Sequence, residues 1–137
     1  MFHTFALCME KQIQQVLDFY NAFGHPIATK PKYISEERVV MRHRLLDEEV
    51  VELFDAGITG DVAEVADAIA DCFYILIGTA IEYGIADKLT DVFNEVHRSN
   101  MSKLGEDGNP IYREDGKILK GPNYSRPKLD DIVYGAL

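Results

Sequence analysis

Six of the eight carboxylates in two short runs of this sequence share helical faces: Glu48, Glu49 and Glu52 in LLDEEVVELF, and Glu64, Asp67 and Asp71 in DVAEVADAIAD. An α-helix turns about 100° per residue, so the first three sit at about 0°, 100° and 40°, one acidic face. The second three fall within about 60° of one another. Two such helices joined by a short turn are antiparallel neighbours, and their acidic faces look at each other. Carboxylates converging in this way repel unless cations sit between them. Their oxygens are hard ligands. With no Cys or His at matching spacing they favour Mg²⁺, or Mn²⁺, over zinc. A di-iron bundle would need Glu-x-x-His on two helices, which Glu95 and His97 do not provide.

Magnesium held by a few carboxylates keeps several waters and binds substrate phosphates. It neutralises phosphate charge and lowers the pKa of an attacking water. A carboxylate left off the metal serves as general base. Hydrolysis of a phosphoanhydride is the reaction that best fits this equipment. Glu48, Glu52, Asp67 and Asp71 are the leading metal ligands. Glu49, about 60° from Glu52 and 100° from Glu48, is the expected base, although Glu48 and Glu49 can exchange roles and both lie within reach of a metal. Asp61 and Glu64 form a D-x-x-E capping box, so Glu64 serves either the helix start or the metal.

The elements that must position these groups are helices. Residues 5–22 carry an apolar stripe at helical spacing, ending at Asn21 and Gly24. Residues 24–34 are a Pro- and Gly-containing loop. Ser35 caps a helix over 36–56 that stops at Gly57. Ahead of its acidic cluster lie Arg38, Arg42, His43 and Arg44, read either as solvated surface or, for Arg42 or Arg38, as groups that orient an acidic ligand. After the GITGD turn a third helix runs to about Glu82. From Ala68 to Ile81 it is apolar almost all round, and a helix greasy on every side is buried on every side. A second copy of the chain is the economical cover, which predicts a homo-oligomer with a two-fold interface. A fourth helix spans about Asp87 or Thr90 to Lys103. Its basic end suits the helix dipole, and Asn100 and Lys103, one turn apart, can reach a phosphate.

Residues 105–124 are rich in Gly, Pro and Asp, and Glu114-Asp115-Gly116 between Ile111–Arg113 and Lys117–Leu119 predicts a small β-hairpin. Lys117, Lys120, Tyr124 and Arg126 of this tail either lie over a site or dock the tail. The final LDDIVYGAL adds a short helical turn. The expectation is thus an all-α, four-helix bundle (about 5–104) with an extended, β-hairpin tail (about 105–137), one domain in 137 residues.

Composition excludes other classes. A formal charge of −9 argues against a general nucleic-acid surface. There is no run of 18 apolar residues for a membrane span, and the start MFHTFALCMEKQ has no signal-peptide pattern. Cys8 and Cys72 fit no metal or redox spacing. A cytoplasmic protein is the expectation.

The motifs also resemble a known family. EEVVE (48–52) matches the E-E-x-x-E signature of the all-α nucleoside triphosphate pyrophosphohydrolases, the MazG-like and phosphoribosyl-ATP pyrophosphohydrolase-like superfamily. Glu64-Val-Ala-Asp67 matches the E-x-x-D of that family's second helix literally, while the run DCFYILIGTA aligns Asp71 with its aspartate and puts Ala68 at the partner glutamate position. Residues 96–124, VHRSNMSK onward, resemble the C-terminal segment of a MazG-like subgroup with phage and bacterial members. The resemblance implies a dimer or dimer of dimers and Mg²⁺-dependent cleavage between the α and β phosphates of a nucleoside triphosphate. Asn100 and Lys103 would contact phosphate, with Arg42, Lys120 and Tyr124 as further substrate-binding candidates. House-cleaning of dUTP or a modified deoxynucleotide fits the family. Two alternatives stand beside it: hydrolysis of phosphoribosyl-ATP in histidine biosynthesis, and a non-catalytic helical module that binds Mg²⁺ or nucleotide.

Overall fold

The computed structural model describes residues 9–135. Residues 5–8 of the expected first helix, Cys8 among them, lie outside the described residues. The regular structure is helical: α1 (Glu10–Phe23), α2 (Glu36–Thr59), α3 (Val62–Glu82), α4 (Leu89–Met101) and a short α5 (Asp130–Tyr134), with a 3-10 turn at Ala86–Lys88 ahead of α4. The chain divides into two compact units between Asp87 and Lys88, so that α4 groups with the tail. Among the described residues no single helix is long and apolar enough to cross a membrane.

In the first unit α2 packs along α3, and α1 packs against α3. Ser35 accepts the Arg38 N–H and starts α2. Asp61 Oδ1 accepts the N–H groups of Ala63 and Glu64 and starts α3. These caps satisfy donors that a helix start otherwise leaves open. Helix α2 does not stop at Gly57. It runs through to Thr59, and Gly60, at φ 75°, takes the left-handed position that ends it, its N–H bonded to Ala56 O. The left-handed residue, not the first glycine, sets a helix end.

The core is small: Val16 and Tyr20 of α1, Ala56 of α2, and Ala68, Ile77, Ala80 and Ile81 of α3. Gly78 sits in the middle of α3, where a glycine costs up to about 1 kcal/mol relative to alanine. Its missing side chain explains the choice. A Cβ there would lie 2.6 Å from the Tyr20 hydroxyl and 2.7 Å from Arg42 Nη2. Helix α3 is not enclosed all round: Phe73 and Leu76 are about half exposed, at 54% and 48%. On α2, Phe54 and Ile58 are exposed as well. Cys72 is half-buried.

In the second unit the tail is tied to α4 by directed bonds. Arg98 donates twice to Glu95, at 2.8 and 2.7 Å, and once to Arg126 O at 3.2 Å. The Lys128 N–H donates to Glu95 at 2.9 Å. The Arg98 hydrogen bonds, then that of Lys128, hold the Glu95 carboxyl down at about 2. Gly121 N–H donates to Lys103 O, and Ser125 N–H to Ser102 Oγ.

The predicted β-hairpin is not there. The D-G turn forms, with Gly116 N–H on Arg113 O and Arg113 N–H on Lys117 O. Around it, however, the described residues make only an isolated antiparallel bridge, Tyr112 to Ile118, and no strand. Tyr112 and Ile118 are exposed, so no apolar face backs the pairing. A lone two-stranded ribbon without such a face is marginal in water, and Pro110 and Gly121-Pro122 stop the ladder from growing.

Candidate metal centre

The packing of α2 on α3 creates the acidic cluster. The side chains of α2 that are not exposed are Arg38, Arg42, Leu45, Leu46, Glu49, Leu53 and Ala56, at steps of three and four residues. That stripe follows the seam of two packed helices. Arg38 meets Glu82, and Arg42 meets Thr79 and Ile75. In the same antiparallel register Glu49 comes opposite Asp71.

Carboxylate oxygens of Glu49, Glu52 and Asp71 all lie within 4.8 Å of one another. Two unit charges at that spacing repel by roughly 3–4 kcal/mol at an effective dielectric of about 20, and less where water screens them, as at the exposed Glu52. Glu49 Oε2 is buried with no hydrogen-bond partner. Burial, then the charges of Asp71, Glu52, Glu48 and Asp67, push the Glu49 carboxyl above its ordinary range. An orphaned carboxylate oxygen in an all-oxygen donor set is what a hard divalent cation would satisfy. The residues present therefore fit a hard divalent cation: Glu49, Glu52 and Asp71 would hold it.

Beside the cluster lies a cavity of about 320 Å³ lined by Glu52, Asp55, Ala56, Thr59, Glu64, Asp67 and Ala68. Glu52 belongs to both. Glu64 and Asp67 thus face this cavity, while Asp61 does the capping with its own carboxylate. Glu48 stands outside the close cluster and is exposed, although its charge reaches Glu49.

The basic run of α2 is not solvated surface throughout. Arg42 is 7% exposed, donates to Thr79 Oγ1 at 3.0 Å and Ile75 O at 2.6 Å, and pairs with Glu82 at 3.4 Å. Its guanidinium is committed to the interior of α2–α3. The sequence holds the signal for this burial. Arg38 and Arg42 share the stripe of Glu49 and Ala56, and Glu82 is a lone acid closing an apolar run.

Of the residues expected at a phosphate, Asn100 and Lys103 lie together in the second unit, with Lys103 Nζ donating to Asn100 Oδ1 at 2.9 Å. Lys120 Nζ stands 4.5 Å from the centre of the Tyr124 ring, a cation–π contact.

The chain is similar to known proteins. A family model described as phosphoribosyl-ATP pyrophosphohydrolase matches residues 16–100, which take in α2, α3 and most of α1 and α4. Uncharacterized protein L479 of Acanthamoeba polyphaga mimivirus is 30% identical over 111 residues, 78% of this chain and 41% of its own length. The chain thus spans about two fifths of that curated relative. A crystal structure from Exiguobacterium sp. 255-15, described as a candidate NTP pyrophosphohydrolase, is 28% identical, covers 84% of this chain and 88% of its own, and superposes with a TM-score of 0.44. With most of its helical part inside the family match and a carboxylate cluster suited to a divalent cation, this chain belongs to the all-α MazG-like and phosphoribosyl-ATP pyrophosphohydrolase superfamily.

Proposed function

We propose that this chain is a divalent-cation-dependent pyrophosphohydrolase that cleaves a nucleoside triphosphate between its α and β phosphates, releasing pyrophosphate and a monophosphate. One observation carries the reading: Glu49, Glu52 and Asp71 converge within 4.8 Å around a buried, unpartnered Glu49 oxygen. A bound Mg²⁺ supplies charge neutralisation of the phosphates and a more acidic water. The chain's own residues do the rest. Glu49, Glu52 and Asp71 hold the cation, with Asp67 and Glu64 on the adjoining cavity wall. Because Glu49 sits inside the cluster, the base role passes to Glu48, which is exposed and outside it. Asn100 and Lys103 bind phosphate in this proposal, Lys103 as a point charge and Asn100 as an amide donor. Arg42 is left to the interior network.

The family match over residues 16–100 favours phosphoribosyl-ATP, an ATP derivative, as the substrate. Free deoxynucleoside triphosphates are the second reading. It is supported by the resemblance of residues 96–124 to the C-terminal segment of a MazG-like subgroup. The test is pyrophosphate release from phosphoribosyl-ATP and from a panel of common and modified triphosphates, with Mg²⁺ and with chelator. Release from none of them overturns the hydrolase reading, and the preferred substrate chooses between the two. The exposed apolar side chains Phe54, Ile58, Phe73 and Leu76 further support a homodimer, or a dimer of dimers. Sedimentation at micromolar concentration checks it, and a monomer there refutes it.

A further inference from the structure

A second cluster of ionisable groups joins the same helix pair to α1. The Tyr20 hydroxyl donates to Glu82 Oε2 at 2.6 Å, and Arg38 Nε donates to Glu82 Oε1 at 2.7 Å. Arg42 Nε sits 3.4 Å from Glu82 Oε2 and donates to Thr79 Oγ1, while its Nη2 donates to Ile75 O. The Glu82 side chain is wholly enclosed. The network therefore ties α1, α2 and α3 at one point, and it does so by directed bonds.

Direction is what matters. Apolar contact alone stabilises a helix pair well but tolerates sliding, whereas buried charge-assisted bonds penalise every register but one. Slipping α2 by one residue moves each side chain by about 1.5 Å along the axis and 100° around it. That would carry Glu49 away from Asp71. Glu49 lies two turns along the inward stripe from Arg42 and has no hydrogen bond at Oε2 to hold it there. Its placement is inherited from the network.

Gly78 makes the network possible. A Cβ at this position would meet Tyr20 Oη at 2.6 Å and Arg42 Nη2 at 2.7 Å. Both atoms are pinned by their own hydrogen bonds, so neither yields without breaking one.

We infer that the Tyr20–Glu82–Arg38–Arg42 network, seated on Gly78, is a register lock that holds Glu49 opposite Asp71 and thereby sets the affinity of the carboxylate cluster for a divalent cation. These are positioning residues, and the inference rests on reading the cluster as a cation site.

The experiment is a Mn²⁺ titration of the full chain, read by the electron paramagnetic resonance signal of free Mn²⁺, well below the thermal transition of each protein. Gly78→Ala crowds the network from α3 while favouring the helix, and Glu82→Gln removes its shared acceptor charge. Circular dichroism establishes that each is folded, and either folded variant carries the test. The expected result is Mn²⁺ affinity weakened about tenfold or more in the folded variants, the scale seen when groups that orient ligands are lost. Variants that melt earlier yet bind Mn²⁺ as the wild type does would overturn the inference and leave the cluster reading intact. A wild type that binds no Mn²⁺ overturns both.

Discussion

Glu49 of α2 and Asp71 of α3 bring carboxylate oxygens within 4.8 Å of each other across a helix–helix seam. Helices that pack this closely normally turn apolar side chains to the seam. Here, after burial, Asp71 is the strongest influence raising the Glu49 carboxyl. The pair destabilises the metal-free fold and pre-pays nothing back unless a cation arrives. In the proposed function the cluster costs stability at the place where it serves the reaction.

Glu49→Gln should move activity and stability in opposite directions. As a ligand in the proposed cation site, losing this carboxylate lowers the pyrophosphate-release rate by about 100-fold. At neutral pH the group is held above its ordinary value, so its ionised form disfavours the folded state. Removing the charge should raise the melting midpoint of chelator-treated protein by a few degrees, about 2–5 °C. A variant with wild-type turnover would remove Glu49 from the site.

Cation binding should itself be measurable as stability. A ligand that binds only the folded state at about 100 times its Kd adds about 2.7 kcal/mol. Scanning fluorimetry should show a midpoint that climbs with Mg²⁺ or Mn²⁺ and falls back with chelator. Asp71→Asn should lose most of that climb, because it removes the one cluster member contributed by α3. An undiminished climb in Asp71→Asn would place the cation elsewhere.

Much of this was open to reading along the chain, because it is local. Ser35 and Asp61 mark two helix starts, and both cap as their residue types require. The acidic runs lie on the two helices they point to. The register between those helices is not local. Angles on a wheel put Glu48, Glu49 and Glu52 on one face but do not tell which of them meets α3. Glu49 does, because it shares a stripe with Arg42 and Ala56, and Glu52 joins it one turn on. Burial of Arg42 depended in turn on Glu82, 40 residues later in the chain. The tail shows the opposite limit. Its D-G turn is local and forms, whereas a strand ladder needs a partner face that the turn cannot supply.

Acid should weaken the fold through Glu82. Burial pushes its carboxyl up, but hydrogen bonds from Arg38 and Tyr20, with the charges of Arg42 and Arg38, outweigh this and hold it below its ordinary value of 4.5. A carboxyl lowered in the folded state contributes stability that is complete above its unfolded pKa and is lost as pH falls through the folded one. The loss therefore lies below about pH 4.5. Glu82→Gln, which leaves guanidinium groups buried without their carboxylate, should cost about 3 kcal/mol at neutral pH and flatten that acid limb. Urea melts across pH 3–7 measure both, and an acid limb as steep as the wild type's would assign the loss to other carboxylates.

Asp61 and Glu64 should separate a helix cap from a cation wall. Asp61 Oδ1 accepts two N–H groups at the start of α3, at 2.9 and 3.3 Å. Replacing such a cap with alanine costs about 1 kcal/mol. Asp61→Ala should lower the melting midpoint with or without Mn²⁺ and leave Mn²⁺ affinity close to wild type, since Asp61 lines neither the cluster nor the cavity. Glu64 lines the cavity with Glu52 and Asp67. Glu64→Gln keeps the length and polarity of the side chain and removes its charge. It should barely move the metal-free midpoint, yet weaken Mn²⁺ binding, because one of the negative charges facing the cation is gone. The reverse pattern, a large stability loss in Glu64→Gln with Mn²⁺ affinity unchanged, would return Glu64 to the capping box and confine the cation to Glu49, Glu52 and Asp71.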